Sequence, residues 1–247
     1  MWSNVTVAFV GSSTVAGRGQ VFDVIGELRR RPENARLTLL NFGVGGDSVS
    51  EALSRLPRVI AAQPDKVVVI IGGNDILTTV FPNLAWVLSR WKRIRRHPTT
   101  VQFRANLREL VHQLKTLTSA SVAVASLGQV GEDPASTDPA QRRLNELYEQ
   151  YRQIIRQVAT DESVYYIPFY EELHKQIQAA PGRSLTAFRF RSLYWDTFRH
   201  YIFRVCGDDL AAANGWRFHV DGVHLNSRGG LILANAIQDF LDRSTAS

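Results

Sequence analysis

The chain of 247 residues contains one cysteine, Cys206, and so has no internal disulfide. That excludes a disulfide-stapled scaffold and a Cys-rich zinc module. No run of about 18 apolar residues occurs, so no segment is suited to span a bilayer as a helix. The opening Met1-Trp2-Ser3-Asn4-Val5-Thr6 lacks the basic and apolar regions of a secretory signal. No Pro/Gly/Ser-rich linker and no internal repeat divides the chain. The expectation is therefore a cytoplasmic, soluble protein folding as one domain, residues 1–247. Its 45% hydrophobic and 21% charged residues exclude a disordered or collagen-like chain and suffice for a sizeable core.

Several chemistries are missing as well. There is no Gly-Lys-Ser/Thr of a Walker loop, and the glycine spacings depart from the dinucleotide fingerprint. The Gly-x-Ser-x-Gly elbow of α/β-hydrolases fails because Val15 stands where its second glycine belongs. No histidine–carboxylate spacing resembles a metal site. No nucleic-acid-binding motif is present, so a nucleic-acid partner is not expected.

What the chain does have is a repeated alternation. Val5 to Val10, Leu37 to Leu40, Val67 to Ile71, Ser121 to Ser126 and Val164 to Ile167 are short, nearly continuous apolar runs. Runs of this kind suit strands buried on both faces. Helical stretches separate them: Gln20 to Arg31, Ser48 to Ala62, Val101 to Thr118 and Ala140 to Thr160. Ser227 to Arg243, with Ser227 as its cap, closes the series as an amphipathic helix. Strands alternating with helices predict βαβ units, hence an α/β fold with a parallel sheet covered on both sides.

In open parallel sheets, ligands bind beyond the carboxyl ends of the strands. Gly11-Ser12-Ser13, Asn41-Phe42-Gly43-Val44-Gly45-Gly46-Asp47 and Gly72-Gly73-Asn74-Asp75 follow the first three strands. Asp221-Gly222-Val223-His224 precedes the last helix. A serine hydroxyl needs a base to take its proton, and the base needs an orienting group. Asp221 and His224, three apart, can meet across one turn and leave the far ring nitrogen facing a serine. Backbone N–H groups of Ser13 and Gly46 with the Asn74 amide could supply an oxyanion hole.

These four segments, in this order, resemble the blocks of the SGNH (GDSL-type) hydrolases. The name of that family lists the serine, glycine, asparagine and histidine matched here by Ser13, Gly46, Asn74 and His224. The resemblance implies a flavodoxin-like three-layer α/β/α sandwich with a parallel sheet of about five strands. It also implies hydrolysis of esters or thioesters by Ser13, Asp221 and His224, with no metal and no organic cofactor. The family's usual Gly-Asp-Ser reads Gly11-Ser12-Ser13 here. The two adjacent serines leave the nucleophile ambiguous on sequence alone, and Ser13 is preferred because it keeps the register after Gly11. Asp47 and Asp75 are expected to hold loops. His219 lacks the turn geometry of His224, and His97, His112, His174 and His200 are expected to be solvated.

Two irregular segments, 76–108 and 181–219, mix aromatic residues with arginine. They are candidates for a cap, with an apolar groove for an acyl chain, or for a face that meets an anionic membrane surface. Residues 76–108 carry seven basic and no acidic side chains; 181–205 carry five basic residues and Asp196. Against the net charge of +6, the remainder is left at −5. Positive charge is thus concentrated in the segments expected to meet substrate or surface. The expected substrate is a small or lipid-like acyl ester; an acetylated carbohydrate or a thioester would use the same residues. A non-catalytic binding protein on this fold is the reading of another class, and Ser12 is its support.

Overall fold

The computed structural model describes residues 5–17, 22–92, 99–186 and 207–243. Five strands form one all-parallel sheet: β1 (Val5–Gly11), β2 (Leu37–Gly43), β3 (Lys66–Ile70), β4 (Ser121–Ala125) and β5 (Tyr165–Ile167), in the order β2-β1-β3-β4-β5. Each expected strand is found, β2 running three residues further than its apolar run.

Alternation explains why those runs are apolar throughout. Val7, Phe9, Val68, Ile70, Ala123 and Ala125 face one layer, packing with α2 (Val24–Arg30), α9 (Phe169–Ala179) and α11 (Ser227–Leu241). Ala8, Val10, Val67, Val69, Val122 and Val124 face the other. There they meet α3 (Val49–Ser54), α4 (Leu56–Ala61), α5 (Gly73–Val80), α7 (Thr100–Leu117) and α8 (Pro139–Asp161). Strands buried on both faces are almost wholly apolar in composition, with Lys66 at the start of β3 an exception. The result is the expected three-layer α/β/α sandwich.

The remaining described helices are α1 (Ser13–Ala16), α6 (Pro82–Lys92), α10 (Gly207–Asn214) and a 3₁₀ turn at Pro32–Asn34. Four expectations need correction. The stretch Ser48 to Ala62 is two helices, because Pro57 has no N–H to continue the ladder and the chain restarts after Arg55. The expected helix Gln20 to Arg31 begins at Val24, capped by Asp23, whose carboxylate accepts from the Gly26 N–H at 3.0 Å. The cap of α11 is Asn226, which accepts from the Gly229 N–H at 3.0 Å; Ser227 is the first helical residue. Residues 82–92, read as irregular, are helical. Parts of both aromatic and basic segments, His97 and His200, and Cys206 lie outside the described residues. No described helix is long and apolar enough to cross a membrane.

The C-terminal end of α11 is held by Lys66, which is 3% exposed at the start of β3. Its ammonium donates to the carbonyls of Phe240, Leu241 and Arg243 at 3.3, 2.7 and 2.5 Å. Burial lowers its pKa, against the opposing charge of Asp242. A cation at a helix C-terminus satisfies carbonyls that the helix itself leaves unpaired. Lys66→Met keeps the apolar stem and removes the donor. It should lower the free energy of unfolding by about 1–3 kcal/mol, read from denaturant titration.

Candidate active site

The sheet order places the topological switch between β1 and β3, whose flanking connections run to opposite sides. A crevice opens at the carboxyl ends of two such strands. Ser12-Ser13 leaves β1 there, and Gly73-Asn74 leaves β3 beside it, with Gly11 paired to Ile70. Ser12, Ser13, Gly46, Asn74 and His224 line one cavity of about 200 Å³.

Each motif residue has a local task. Asn41, near the end of β2, donates to the Val15 carbonyl at 2.9 Å and accepts from the Gly43 N–H at 2.8 Å. It thereby ties the Ser13 turn to the neighbouring strand. Gly43 is required by close approach: a Cβ there would lie 2.3 Å from the Ala16 nitrogen. Gly46 sits at φ +76°, a conformation that glycine adopts without strain. The next residue, Asp47, accepts the Asn74 side-chain amide on its carbonyl at 2.9 Å. Its carboxylate is bound by Arg55, whose Nε donates at 2.8 Å and whose second nitrogen donates to the same oxygen; Arg55 also holds the Phe42 carbonyl at 3.0 Å. Arg55 therefore fixes the loop, the loop fixes Asn74, and one Asn74 N–H is left to point elsewhere.

His224 and Asp221 sit on a short turn closed by the Val220 N–H donating to the His224 carbonyl at 2.8 Å. His224 Nδ1 lies 2.6 Å from Asp221 Oδ2. The other carboxylate oxygen accepts the N–H groups of Val223 and His224 at 2.8 and 2.7 Å. Burial alone would raise the Asp221 pKa, but the His224 charge and the hydrogen bonds hold it below the ordinary carboxylate range. Burial would lower His224, and the Asp221 charge and bond outweigh it, so its pKa is raised. The turn thus carries an ionised carboxylate that fixes the ring tautomer and favours the protonated ring.

A residue without sequence signal anchors this turn. Glu132, fully buried, accepts from the N–H groups of Arg217, Phe218 and His219 at 2.8, 2.7 and 3.0 Å. It also binds His219 Nδ1 at 2.9 Å. Burial would raise its pKa; the His219 ring and the backbone donors prevail and lower it. His219 Nε2 faces the Gln129 carbonyl at 3.0 Å, so both ring nitrogens are used in the framework. Of the other described histidines, His112 is exposed beside Glu162, as expected. His174, expected to be solvated, stacks on Tyr170 with Nδ1 against Gln129, and burial lowers its pKa.

The cavity's apolar wall comes from Leu77, Leu84, Leu88, Leu127, Val130, Tyr148 and Phe169. None was singled out by sequence, although Leu84 and Leu88 share a helix face at i, i+4 spacing. They fall in the 76–108 segment, which thus lines the cavity through its leucines. Among the described residues, no group of three or more His, Cys, Asp or Glu is placed to hold a metal ion.

Against protein-family models, the chain matches the GDSL-like lipase/acylhydrolase family over residues 9–230. It belongs to that family. This GDSL-like acylhydrolase is accordingly an ester-hydrolysing enzyme. It is 24% identical over 193 residues to an acetylxylan esterase of Geobacillus stearothermophilus, covering 75% of each chain. The solved structure of an acetylxylan esterase from that organism is similar with a TM-score of 0.64 and 19% identity, covering 99% of this chain and 97% of that one. An alpha/beta hydrolase enzyme from the metagenome of Lake Arreo, Spain, also gives 0.64, at 18% identity over 97% and 95% of the chains. At such identities the structural likeness establishes the fold.

The carboxylate next to Asn74 is buried with less than a full set of partners. Asp75, 0% exposed, accepts from the Val49 N–H at 3.2 Å through Oδ2, while Oδ1 has no partner among the described residues. Burial, opposed by the Val49 and Asp75 N–H groups and assisted by the Glu51 charge, pushes its pKa up to about 7. A carboxyl raised in the folded state binds a proton that the unfolded chain has released. Its contribution to stability therefore falls as pH rises from about 4 to 7 and is level above. Asp75→Asn removes that dependence. The stability of the variant relative to wild type should rise across this window by on the order of 2–4 kcal/mol, measured by urea unfolding at pH 4, 5.5 and 7.5.

Proposed function

We propose that this acylhydrolase is a single-domain serine esterase. Ser13 is the nucleophile, His224 its base and Asp221 the residue that holds the imidazole. The hydroxyl of Ser13 attacks the ester carbonyl carbon as its proton passes to His224. The tetrahedral oxyanion is met by the Ser13 and Gly46 N–H groups and the free N–H of Asn74. His224 then protonates the departing alcohol, leaving an acyl-serine. Water, deprotonated by His224, attacks that acyl carbon, and the proton returns to Ser13 as the acid leaves.

The observation that carries this reading is the Asp221–His224 pair at 2.6 Å, with His224 on the wall of the cavity that also holds Ser13, Gly46 and Asn74. Such an arrangement supplies nucleophile, oriented base and donors together. Ser12, 7% exposed, serves as backbone: its carbonyl accepts from the Val15 and Ala16 N–H groups at 3.2 and 2.9 Å. The apolar wall favours an acyl group longer than acetyl. A second reading, cleavage of O-acetyl groups from a carbohydrate, is favoured by the names of the relatives.

A p-nitrophenyl ester series from acetate to octanoate separates the two. Rising kcat/KM beyond acetate supports the longer acyl group; activity confined to acetate supports the carbohydrate ester. Fluorophosphonate should label wild-type protein and Ser12→Ala but leave Ser13→Ala unlabelled; labelling of Ser13→Ala would transfer the role to Ser12.

The pH dependence follows from the Asp221–His224 pair. A base must be unprotonated, so activity is lost as pH falls through the His224 pKa. That pKa is raised, which places the acid limb of kcat/KM above the ordinary histidine value of 6.5. A limb below 6.5 would contradict the pairing.

A further inference from the structure

The wall of the cavity contains one polar group that the esterase chemistry leaves unused. Tyr148, on α8, is 2% exposed and lines the cavity with Leu77, Leu127 and Phe169. Its hydroxyl stands beside Gly73, the residue before Asn74: a Cβ built on Gly73 would lie 3.9 Å from it. Among the described residues that hydroxyl has no hydrogen-bond partner, and it is not sealed off but faces the cavity. Buried tyrosines ordinarily give their O–H a partner, because an unpaired polar group out of water is unfavourable. Packing does not explain the oxygen, since a phenylalanine ring would fill the same apolar space. Burial pushes the Tyr148 pKa far above its ordinary value, so the group remains a neutral O–H, able to donate and to accept.

We propose that Tyr148 is a specificity-determining residue for the acyl group. Its hydroxyl pairs with an oxygen carried on an otherwise apolar acyl chain, so that the favoured substrates are esters of hydroxy acids of intermediate length. The location supports the acyl side. Tyr148 lies among the apolar residues of the wall, whereas Asn74 turns its amide towards the Asp47 carbonyl. Tyr148 shares the cavity with Ser13 and Asn74, and its hydroxyl lies beside Gly73, the residue before Asn74. The partner this inference assigns to the hydroxyl is an oxygen on the second or third acyl carbon. A site built to hydrogen-bond a substrate hydroxyl rejects the analogue that lacks it, because its own polar group is then left unpaired.

This inference rests on the serine esterase reading and is tested with two p-nitrophenyl esters, butanoate and 3-hydroxybutanoate, the latter as each enantiomer. Wild-type protein should show a higher kcat/KM for one 3-hydroxybutanoate enantiomer than for butanoate. Tyr148→Phe, which keeps the ring, should reduce that ratio by about fivefold or more, the scale of one neutral hydrogen bond. A wild-type ratio below one for both enantiomers would overturn the proposal. So would a ratio that Tyr148→Phe leaves within twofold, whether both rates fall or neither does. In both cases an active, fluorophosphonate-labelled wild-type protein leaves the esterase reading standing. No turnover of either ester by wild-type protein that still cleaves p-nitrophenyl acetate would overturn this inference alone; no turnover of acetate and no fluorophosphonate labelling would overturn the esterase reading with it.

Discussion

Everything in the site hangs on the pairing of β1 with β3. With Gly11 opposite Ile70, the turns that follow the two strands emerge side by side, and no side chain stands between them. A Cβ at Gly11 would lie 2.4 Å from the Ile70 carbonyl oxygen. The glycine is therefore a condition of the register, and the register is what brings Ser13 next to Asn74. Interior packing enforces it in turn. A slip of one residue would exchange Val7 and Phe9 with Ala8 and Val10 between the two layers, and both cores would misfit.

From that seam outward, polar groups are fixed in sequence. Asn41 binds the Ser13 turn to β2, Arg55 binds Asp47, and Asp47 binds Asn74. On the opposite side Glu132 gathers three backbone N–H groups and a histidine just ahead of Asp221. Side chains that are to meet a reacting group must be held by neighbours that are themselves held. In this protein those neighbours are mostly backbone carbonyls and N–H groups, which cannot rotate away.

The sheet was legible because a strand buried on both faces has little choice of composition. The candidate residues Ser13, Gly46, Asn74, Asp221 and His224 stand out because each carries a type and a spacing that few other tasks require, and all but Asp221 line one cavity. The break at Arg55 was missed because the apolar pattern of Ser48 to Ala62 runs on through a proline that interrupts only the backbone. The cap of α11 was placed one residue late, since Asn226 and Ser227 are both good capping residues and the choice depends on the Arg217 carbonyl, which holds the Asn226 amide at 3.0 Å. Glu132 was invisible for a different reason. Its partners are main-chain groups more than eighty residues away, and backbone donors leave no mark in a sequence. The cavity wall likewise draws leucines from separate helices, each of which reads locally as ordinary core.

The order in which the chain is made has a consequence for the last turn and helix. The strands of the sheet and the Ser13, Gly46 and Asn74 turns all precede residue 221. The Asp221–His224 turn rests on Glu132 from earlier in the chain, while α11 behind it is clamped by Lys66 and by Asn34, which exchanges hydrogen bonds of 2.9 Å with Gln238. Ser13, Gly46 and Asn74 are therefore all in the chain before the imidazole is added. The imidazole thus arrives after the other candidate groups, on a turn whose anchor, Glu132, is already in the chain.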